Sequence, residues 1–139
     1  MKEPLQATVD VLKAMGHPVR LRILAMLRGG ELCVCQMTAL LDLATSTVSA
    51  HLADLKRSGL LGERKDGRFV LYRLAEDETT RAHLTPVWAQ IGRDPQIETA
   101  GRLLREIKRV SVEELCRVEL DLRRLGIRRP SSAVASRWR

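Results

Sequence analysis

Residues 37–59 read MTALLDLATSTVSAHLADLKRSG, two helix-forming segments separated by a short turn at residues 42–44. In the second segment Val48, Leu52 and Leu55 recur at spacings of four and three residues, the period of one buried helix face. Gly59 ends the segment, as glycine commonly does just past a helix. The pattern therefore predicts two helices joined by a tight turn, which is the helix-turn-helix layout.

The exposed side of the second helix begins with small polar side chains. The outward positions are Thr45, Ser46, Thr47, Ser49, Ala50 and His51. Hydroxyls and the free amides of a first helical turn can donate to phosphates or to base edges. A helix start rich in serine and threonine can also be no more than a cap. The residues downstream of this helix favour the nucleic-acid interpretation.

Two short extended runs, at about 61–65 and 68–74, flank the dipeptide Asp66-Gly67. Asp-Gly between such runs predicts a two-residue hairpin turn, because the turn needs a positive φ that glycine supplies. Arg64, Lys65 and Arg68 crowd the tip of this hairpin, where they could meet phosphates. The sequence thus predicts a mostly α-helical fold with a β-hairpin wing, a winged helix-turn-helix.

Size and charge agree with a small DNA-binding protein. The chain has 139 residues and a formal net charge of +7, so it is about one domain with a preference for an anionic partner such as nucleic acid. No apolar run approaches the ~20 residues that span a bilayer, and the start lacks a signal-peptide pattern. We expect a cytoplasmic protein with no membrane partner.

Helical patterns and their end signals divide the rest of the chain. We predict helices at about 4–15, from Pro18 to Gly29, at 33–41, at 78–92, from Asp94-Pro95 to about 109, and from a capping box at Ser111 and Glu114 to near Gly126. We assign residues 1–76 to a DNA-binding core and 77–126 to C-terminal helices for dimerisation. Residues 127–139 carry four arginines and no acidic residue, and we predict a disordered basic tail.

Cys33 and Cys35 lie one residue apart, directly ahead of the helix-turn-helix. Three cysteines in a chain without an export signal predict reduced thiols that can bind a soft metal or metalloid. Residues two apart point about 200° apart on a helix but to the same side of an extended segment. One ion held by both thiols therefore needs the first turn of the third helix to be distorted or absent, so binding would act on the helix that supports the DNA-binding one.

Several motifs in order resemble the ArsR family of metal-responsive winged-helix repressors. They are LKAMGHPVRLRIL at 12–24, ELCVC at 31–35, STVSAHL at 46–52, and the wing. The resemblance covers nearly half the chain and implies a homodimer, joined through its terminal helices, that occludes operator DNA until an inducer binds. The recognition helix departs from the family pattern, which has glutamine and arginine where this chain has Thr45 and Ala50.

The arsenic sensors that the chain resembles have a third nearby cysteine, where this chain has Thr38. The remaining thiol is Cys116, and we predict a site of Cys33, Cys35 and Cys116, the last supplied by the same chain or by the partner. Three thiolates suit trivalent arsenic or antimony, with lead or cadmium next. The terminal helices offer one histidine, His83, which does not favour the zinc site also seen in this family.

Other interpretations of the cysteines stay open. Cys116 can be a small buried hydrophobe, or Cys33 or Cys35 can form a disulfide with it in a redox or sulfur sensor. A winged helix that binds DNA constitutively, with inert cysteines, is a further alternative. A thiol enzyme would need an activated thiolate beside a base or an anion-binding loop. The sequence contains neither pattern, so we predict no enzyme and no catalytic residues.

Overall fold

The computed structural model describes residues 3–129 of the chain. Within this part the helices are α1 (Pro4–Met15), α2 (Pro18–Met26), α3 (Val34–Leu41), α4 (Thr45–Arg57), α5 (Glu78–Ile91), α6 (Pro95–Lys108) and α7 (Val112–Arg117). The strands are β1 (Leu32–Cys33), β2 (Leu61–Asp66) and β3 (Phe69–Leu74), and 3-10 turns lie at Leu27–Gly29 and Leu122–Leu125. The predicted winged helix-turn-helix is confirmed. No helix in residues 3–129 has both the length and the apolar character that crossing a membrane requires.

Side-chain caps start several helices where the sequence predicted them. The Asp94 carboxylate accepts a hydrogen bond from the amide of Gln96 at 2.8 Å, with Pro95 in the first position of α6. Ser111 accepts from the amide of Glu114 at 3.1 Å, which is one half of the predicted capping box. These bonds satisfy amides that a helix leaves without partners at its start.

The three strands form one antiparallel sheet in the order β1-β3-β2. In the β2–β3 hairpin Asp66 pairs with Phe69, so the two loop residues are Gly67 and Arg68. The turn therefore lies one residue later than predicted, with Gly67 at φ 60° as the first loop residue. Two-residue hairpins that carry glycine in this position match the twist of the strands. The strand β1 was not predicted, and its Cys33 pairs with Leu71 of β3.

The core lies between the helix-turn-helix and the C-terminal helices. Val48, Leu52 and Leu55 of α4 have no exposed surface, as their spacing predicted. Helix α6 buries Leu103 and Ile107 against α2 and α3. The C-terminal helices thus share one core with the DNA-binding part, and the assignment of different roles to the two sides of residue 76 stays a prediction.

The last helix is shorter than the sequence predicted. Helix α7 ends at Arg117, and Glu119 and Leu120 take left-handed backbone angles, with φ 55° and 62°. The amide of Leu120 bonds the carbonyl of Leu115 at 3.0 Å, which closes the helix as a C-terminal cap. Asp121 then caps the 3-10 turn by accepting from the amide of Arg123 at 3.1 Å. A predicted single helix to Gly126 is therefore wrong.

The start of the predicted tail is folded. Ile127 is buried in the core cluster, and Arg129 bonds the end of α3, so residues 127–129 belong to the body of the protein. The remaining residues of the predicted tail, 130–139, lie outside the described residues.

Candidate functional site

The first turns of α4 present the surface that the sequence predicted for nucleic acid. Thr45, Ser46, Thr47, Ser49 and Ala50 are all exposed, while the opposite face of the helix is buried. Ala44 precedes the helix and provides no side-chain cap, so no capping side chain occupies the first amides of α4. Exposed hydroxyls beside free amides form a surface that can donate hydrogen bonds to phosphates and base edges.

His51 has a different environment from the other five outward positions. It is half-buried, and its Nδ1 accepts a hydrogen bond from Nε of Arg20 at 3.1 Å. Its ring lies 4.6 Å from the ring of His17, and Arg20 also pairs with Asp54 at 2.6 Å. Burial, followed by the charges of His17 and Arg20, lowers the pKa of His51. His51 therefore joins α2 to α4 in its neutral form.

Of the three basic residues predicted at the tip of the wing, Arg64 is paired with an acidic residue. Arg64 forms a two-pronged ion pair with Glu31, with its Nε 2.9 Å from Oε2, and so braces β2 against the loop before β1. Lys65 is exposed, and the guanidinium of Arg68 lies 5.2 Å from the centre of the Phe69 ring at the hairpin tip. Lys65 and Arg68 are thus the wing cations best placed to meet a phosphate.

We therefore expect Arg68→Ala to weaken DNA binding with little regard to sequence. Loss of one phosphate contact should reduce the slope of log affinity against log salt by about 0.9 for each bound protomer. Fluorescence anisotropy titrations at several salt concentrations measure the slope. Arg64→Ala is the comparison, because its guanidinium is already paired with Glu31, and its slope should change less. An unchanged slope for Arg68→Ala would remove the wing tip from the DNA contacts.

The three thiols come together at the start of α3. Cys33 ends β1 and is buried, while Cys35 and Cys116 are half-buried. The Sγ atoms of Cys35 and Cys116 lie 3.4 Å apart, although the two residues are separated by most of the chain. Cys33 is close enough to Cys35 to contribute to the raised pKa of the Cys35 thiol. The three predicted ligands thus form one cluster within a single chain, and we call it the thiol cluster.

The backbone places the paired cysteines on either side of a helix boundary. Cys33 is extended, with φ −75° and ψ 149°, and Cys35 lies in the first turn of α3. The amide of Cys33 donates to Oε1 of Gln36 at 2.9 Å, and the Cys33 sulfur, a weak acceptor, faces the amide of Gln36 in the reciprocal half of a capping box. Cys33 is therefore also the cap of α3, a role that the Cys-x-x-Gln spacing could have indicated.

Within the thiol cluster, the surroundings of Cys35 favour its protonated form. Burial, and then hydrogen bonding to Cys116 and Cys33, raises the pKa of Cys35 to about 12. Within residues 3–129, no three His, Cys, Asp or Glu side chains are already arranged to hold a metal ion. Binding by all three sulfurs thus requires the side chains to turn, including the sulfur that faces the Gln36 amide.

A C-terminal strap, residues 116–129, reaches both ends of α3. Cys116 contacts Cys35 at the start of the helix. At the other end, Nη1 of Arg129 donates to the carbonyl of Leu40 at 2.9 Å, and Nη2 donates to that of Ala39. The same guanidinium lies 3.9 Å from the carboxylate of Asp42, the residue at φ 55° that ends α3. Sequence patterns offered no sign of this contact.

Comparison with known proteins places this arrangement in a family. The family model described as "bacterial regulatory protein, arsR family" matches residues 17–62. The arsenic resistance transcriptional regulator ArsR1 of Pseudomonas putida is 41% identical over 75 residues, which are 53% of this chain and 58% of that protein. The transcriptional activator HlyU of Vibrio cholerae is 41% identical over 78 residues, 56% of this chain and 72% of HlyU. The matched region thus spans little more than half of the first relative.

Solved structures extend the similarity to the fold. A structure of HlyU from Vibrio cholerae has a TM-score of 0.60 at 34% identity and covers 67% of this chain and all of that one. A homodimeric winged helix-turn-helix DNA-binding domain from Mycobacterium bovis has a TM-score of 0.56 at 32% identity and covers 63% and 82%. With its recognition helix, wing and these relatives, the chain belongs to the ArsR family of winged-helix, DNA-binding transcriptional regulators.

Proposed function

We propose that this protein is a homodimeric repressor that binds operator DNA and releases it when trivalent arsenic or antimony binds Cys33, Cys35 and Cys116. The observation that carries the proposal is the thiol cluster, in which Cys116 reaches to 3.4 Å from Cys35 across the fold. In this proposal the exposed first turns of α4 and the tip of the wing contact the operator. Residues 1–76 bind DNA, and the following helices supply the third thiol.

The chemistry of the cluster favours arsenic over a divalent cation. Arsenous acid is uncharged at neutral pH, and three thiols can replace its three hydroxyl groups with the release of three waters and no net proton. Lead or cadmium must instead displace protons from the thiols, and the pKa of Cys35 is raised to about 12. Three sulfurs without an adjacent imidazole also suit a trigonal, thiophilic element.

The position of the cluster supports a route from binding to DNA release. Cys33 must turn its sulfur away from the Gln36 amide to join the other two thiols. A helix cap contributes about 0.5 to 2 kcal/mol, whereas inverting a 1:99 population takes about 5.5 kcal/mol. The free energy lost with the cap is therefore too small to drive DNA release alone. We infer that the C-terminal strap contributes by shifting Cys116 at one end of α3 and Arg129 at the other.

The proposed dimer uses α1. Leu5 and Leu12 are 78% and 56% exposed, and seven residues place them on one face of the helix. Exposed leucines in such a row favour burial against a second helix. The Mycobacterium bovis relative is described as homodimeric, and a twofold dimer would present two recognition helices to two operator half-sites.

The test is an arsenite titration of the protein bound to a fluorescent operator duplex. We expect anisotropy to fall to the value of free DNA, and X-ray absorption of the arsenic-loaded protein to show three sulfur neighbours. Persistence of the DNA complex at saturating arsenite would reject the proposal. The operator itself can be obtained by selection from a pool of random duplexes.

A second candidate function is oxidant sensing through a disulfide between Cys35 and Cys116, favoured by their 3.4 Å separation. A peroxide would accept two electrons and two protons from these thiols and become water. Intact mass after mild peroxide treatment should then fall by about 2 Da, the mass of two protons, with DNA released in parallel. An unchanged mass after peroxide treatment, in a protein preparation that still releases DNA with arsenite, would exclude this function.

A further inference from the structure

A cluster of arginines lies on the protein away from the thiol cluster. Helix α6 and the end of the C-terminal strap enclose an open depression of about 460 Å³. Its basic side chains are Arg102, Arg105, Arg109, Arg128 and Arg129, and its one carboxylate is that of Glu106. We call these five arginines the arginine patch.

Most of this charge has no acidic partner. Among residues 3–129, Arg102, Arg105, Arg109 and Arg128 form no ion pair, and all four are exposed. The opposite face of α6 is buried in the core, so these side chains point to solvent. Basic residues in the last turn of a helix are stabilised by its dipole, which accounts for Arg105. Arg102 and Arg128 lie outside that turn, so the dipole does not explain the patch.

The arginines of α6 form a row along the helix. Arg102, Arg105 and Arg109 follow a spacing of three and four residues, which places them on one face. At 1.5 Å per residue the row is about 10 Å long. One DNA strand carries a charge every 3.4 Å along the axis, so the row matches the span of about three phosphates. Guanidinium groups bind phosphate oxygens through paired hydrogen bonds.

Arg129 connects the patch to the DNA-binding surface. Its guanidinium bonds the last turn of α3 and lies 3.9 Å from the carboxylate of Asp42. Two residues lie between Asp42 and Thr45, the first residue of the recognition helix, and the three steps along the chain span at most about 11 Å. The patch thus adjoins the turn from which α4 enters the DNA.

We propose that the arginine patch binds the phosphate backbone of operator DNA beside the segment contacted by α4. This inference rests on the DNA-binding role proposed above and extends the DNA contacts to α6 and the C-terminal strap. It predicts protection of backbone positions that neither the recognition helix nor the wing covers.

The experiment compares three triple variants of the full chain on one selected operator duplex of about 40 base pairs, long enough for a dimer and its flanks. Arg102, Arg105 and Arg109 are changed to alanine in the first variant and to lysine in the second. The matched control carries alanine at three exposed arginines outside the patch, Arg93, Arg117 and Arg124, and so loses the same charge. Thermal melting checks that each variant is folded.

The alanine variant should lower the slope of log affinity against log salt by about 5, because the bound dimer would lose six phosphate contacts and each contributes about 0.9. The lysine variant should keep the slope, and the control should change it by less than one unit. Hydroxyl-radical footprinting should show loss of protection at flanking positions in the alanine variant only.

Equal salt slopes for the alanine variant and the control would overturn the proposal. So would a footprint of the alanine variant that is the same as that of the wild-type protein. The proposal would also be overturned if inorganic pyrophosphate raised the melting temperature of the wild-type protein but not of the alanine variant, while the two had the same salt slope for DNA binding. That result would make the arginine patch a site for small anions. In each case wild-type protein still binds DNA and releases it with arsenite. Failure of the wild-type protein to do so would instead reject the proposed function.

Discussion

Cys33→Ser is expected to leave operator affinity within about twofold of the wild-type value, while the arsenite concentration for half-release rises by about 100-fold or more. Serine is a favourable helix cap, so its hydroxyl can accept a hydrogen bond from the Gln36 amide. The strand pairing with Leu71 uses only the backbone and is retained. A hydroxyl is a poor ligand for a thiophilic element. Loss of a residue that only supports a ligand costs 10- to 100-fold in metal affinity, and loss of the ligand should cost at least as much.

Anisotropy titrations with arsenite at fixed salt provide the measurement, and circular dichroism checks the fold. Release at the wild-type arsenite concentration would show that Cys33 is not a ligand. A folded variant that no longer binds DNA would show that the thiol is structural.

Cys116→Ser should raise the arsenite concentration for half-release by a similar factor. A second substitution, at Thr38, can test whether a replacement sulfur restores the response. Thr38 is 5% exposed, and its hydroxyl has no hydrogen-bond partner among the described residues. It lies one turn beyond Cys35, where the arsenic sensors that the chain resembles carry their third cysteine. Adding Thr38→Cys to Cys116→Ser should restore release at lower arsenite concentration if three sulfurs are needed. Persistent loss of response would mean that Cys116 has a role beyond supplying a ligand.

Leu5→Glu combined with Leu12→Glu should convert the protein to a monomer and lower operator affinity by about 10²- to 10⁴-fold, because a monomer loses the gain in affinity that comes from linking two half-site contacts. The two leucines are the large exposed hydrophobic side chains of the described residues, and burying a carboxylate at an apolar interface is costly. Sedimentation velocity measures the mass, and anisotropy measures the affinity.

A charge-matched control changes the adjacent face of α1. Gln6→Glu with Lys13→Gln alters the net charge by the same amount at the same seven-residue spacing, on side chains that are also exposed. This variant should remain dimeric and bind DNA nearly as well as the wild type. If both double variants sediment as the wild-type protein does, α1 is not the dimer interface.

Local signals in the sequence were enough for most of the fold. The spacing of Val48, Leu52 and Leu55 predicted the buried face of α4, and the Asp94-Pro95 pair predicted the start of α6. The features that the sequence could not reveal depend on contacts between distant segments. A two-residue strand such as β1 has no periodicity of its own, since it exists only because β3 pairs with it. The left-handed residues Glu119 and Leu120 likewise end α7 against the expectation from helical spacing.

The candidate site divides in the same way. The Cys33-Val34-Cys35 spacing indicated a soft ligand site, and helical geometry indicated that one ion held by both thiols needs a distorted first turn of α3, which stays a prediction. The position of Cys116 beside Cys35 could be hypothesised from the shortage of thiols, but no local pattern specifies it. The contacts of Arg129 and the packing of His51 depend on the completed tertiary fold.

The strand β1 has a consequence for how new inducer specificities can evolve in this protein. Cys33 ends the strand, caps α3 and is one of the three proposed ligands, so a substitution there would act on the sheet of the wing, the helix-turn-helix and the proposed site at once. Cys116 lies on a short helix whose position the neighbouring buried Leu115 secures. In the proposed site, selection could therefore exchange or relocate the third ligand while DNA binding is retained, whereas a change at Cys33 keeps the start of α3 capped only if the new residue also caps a helix.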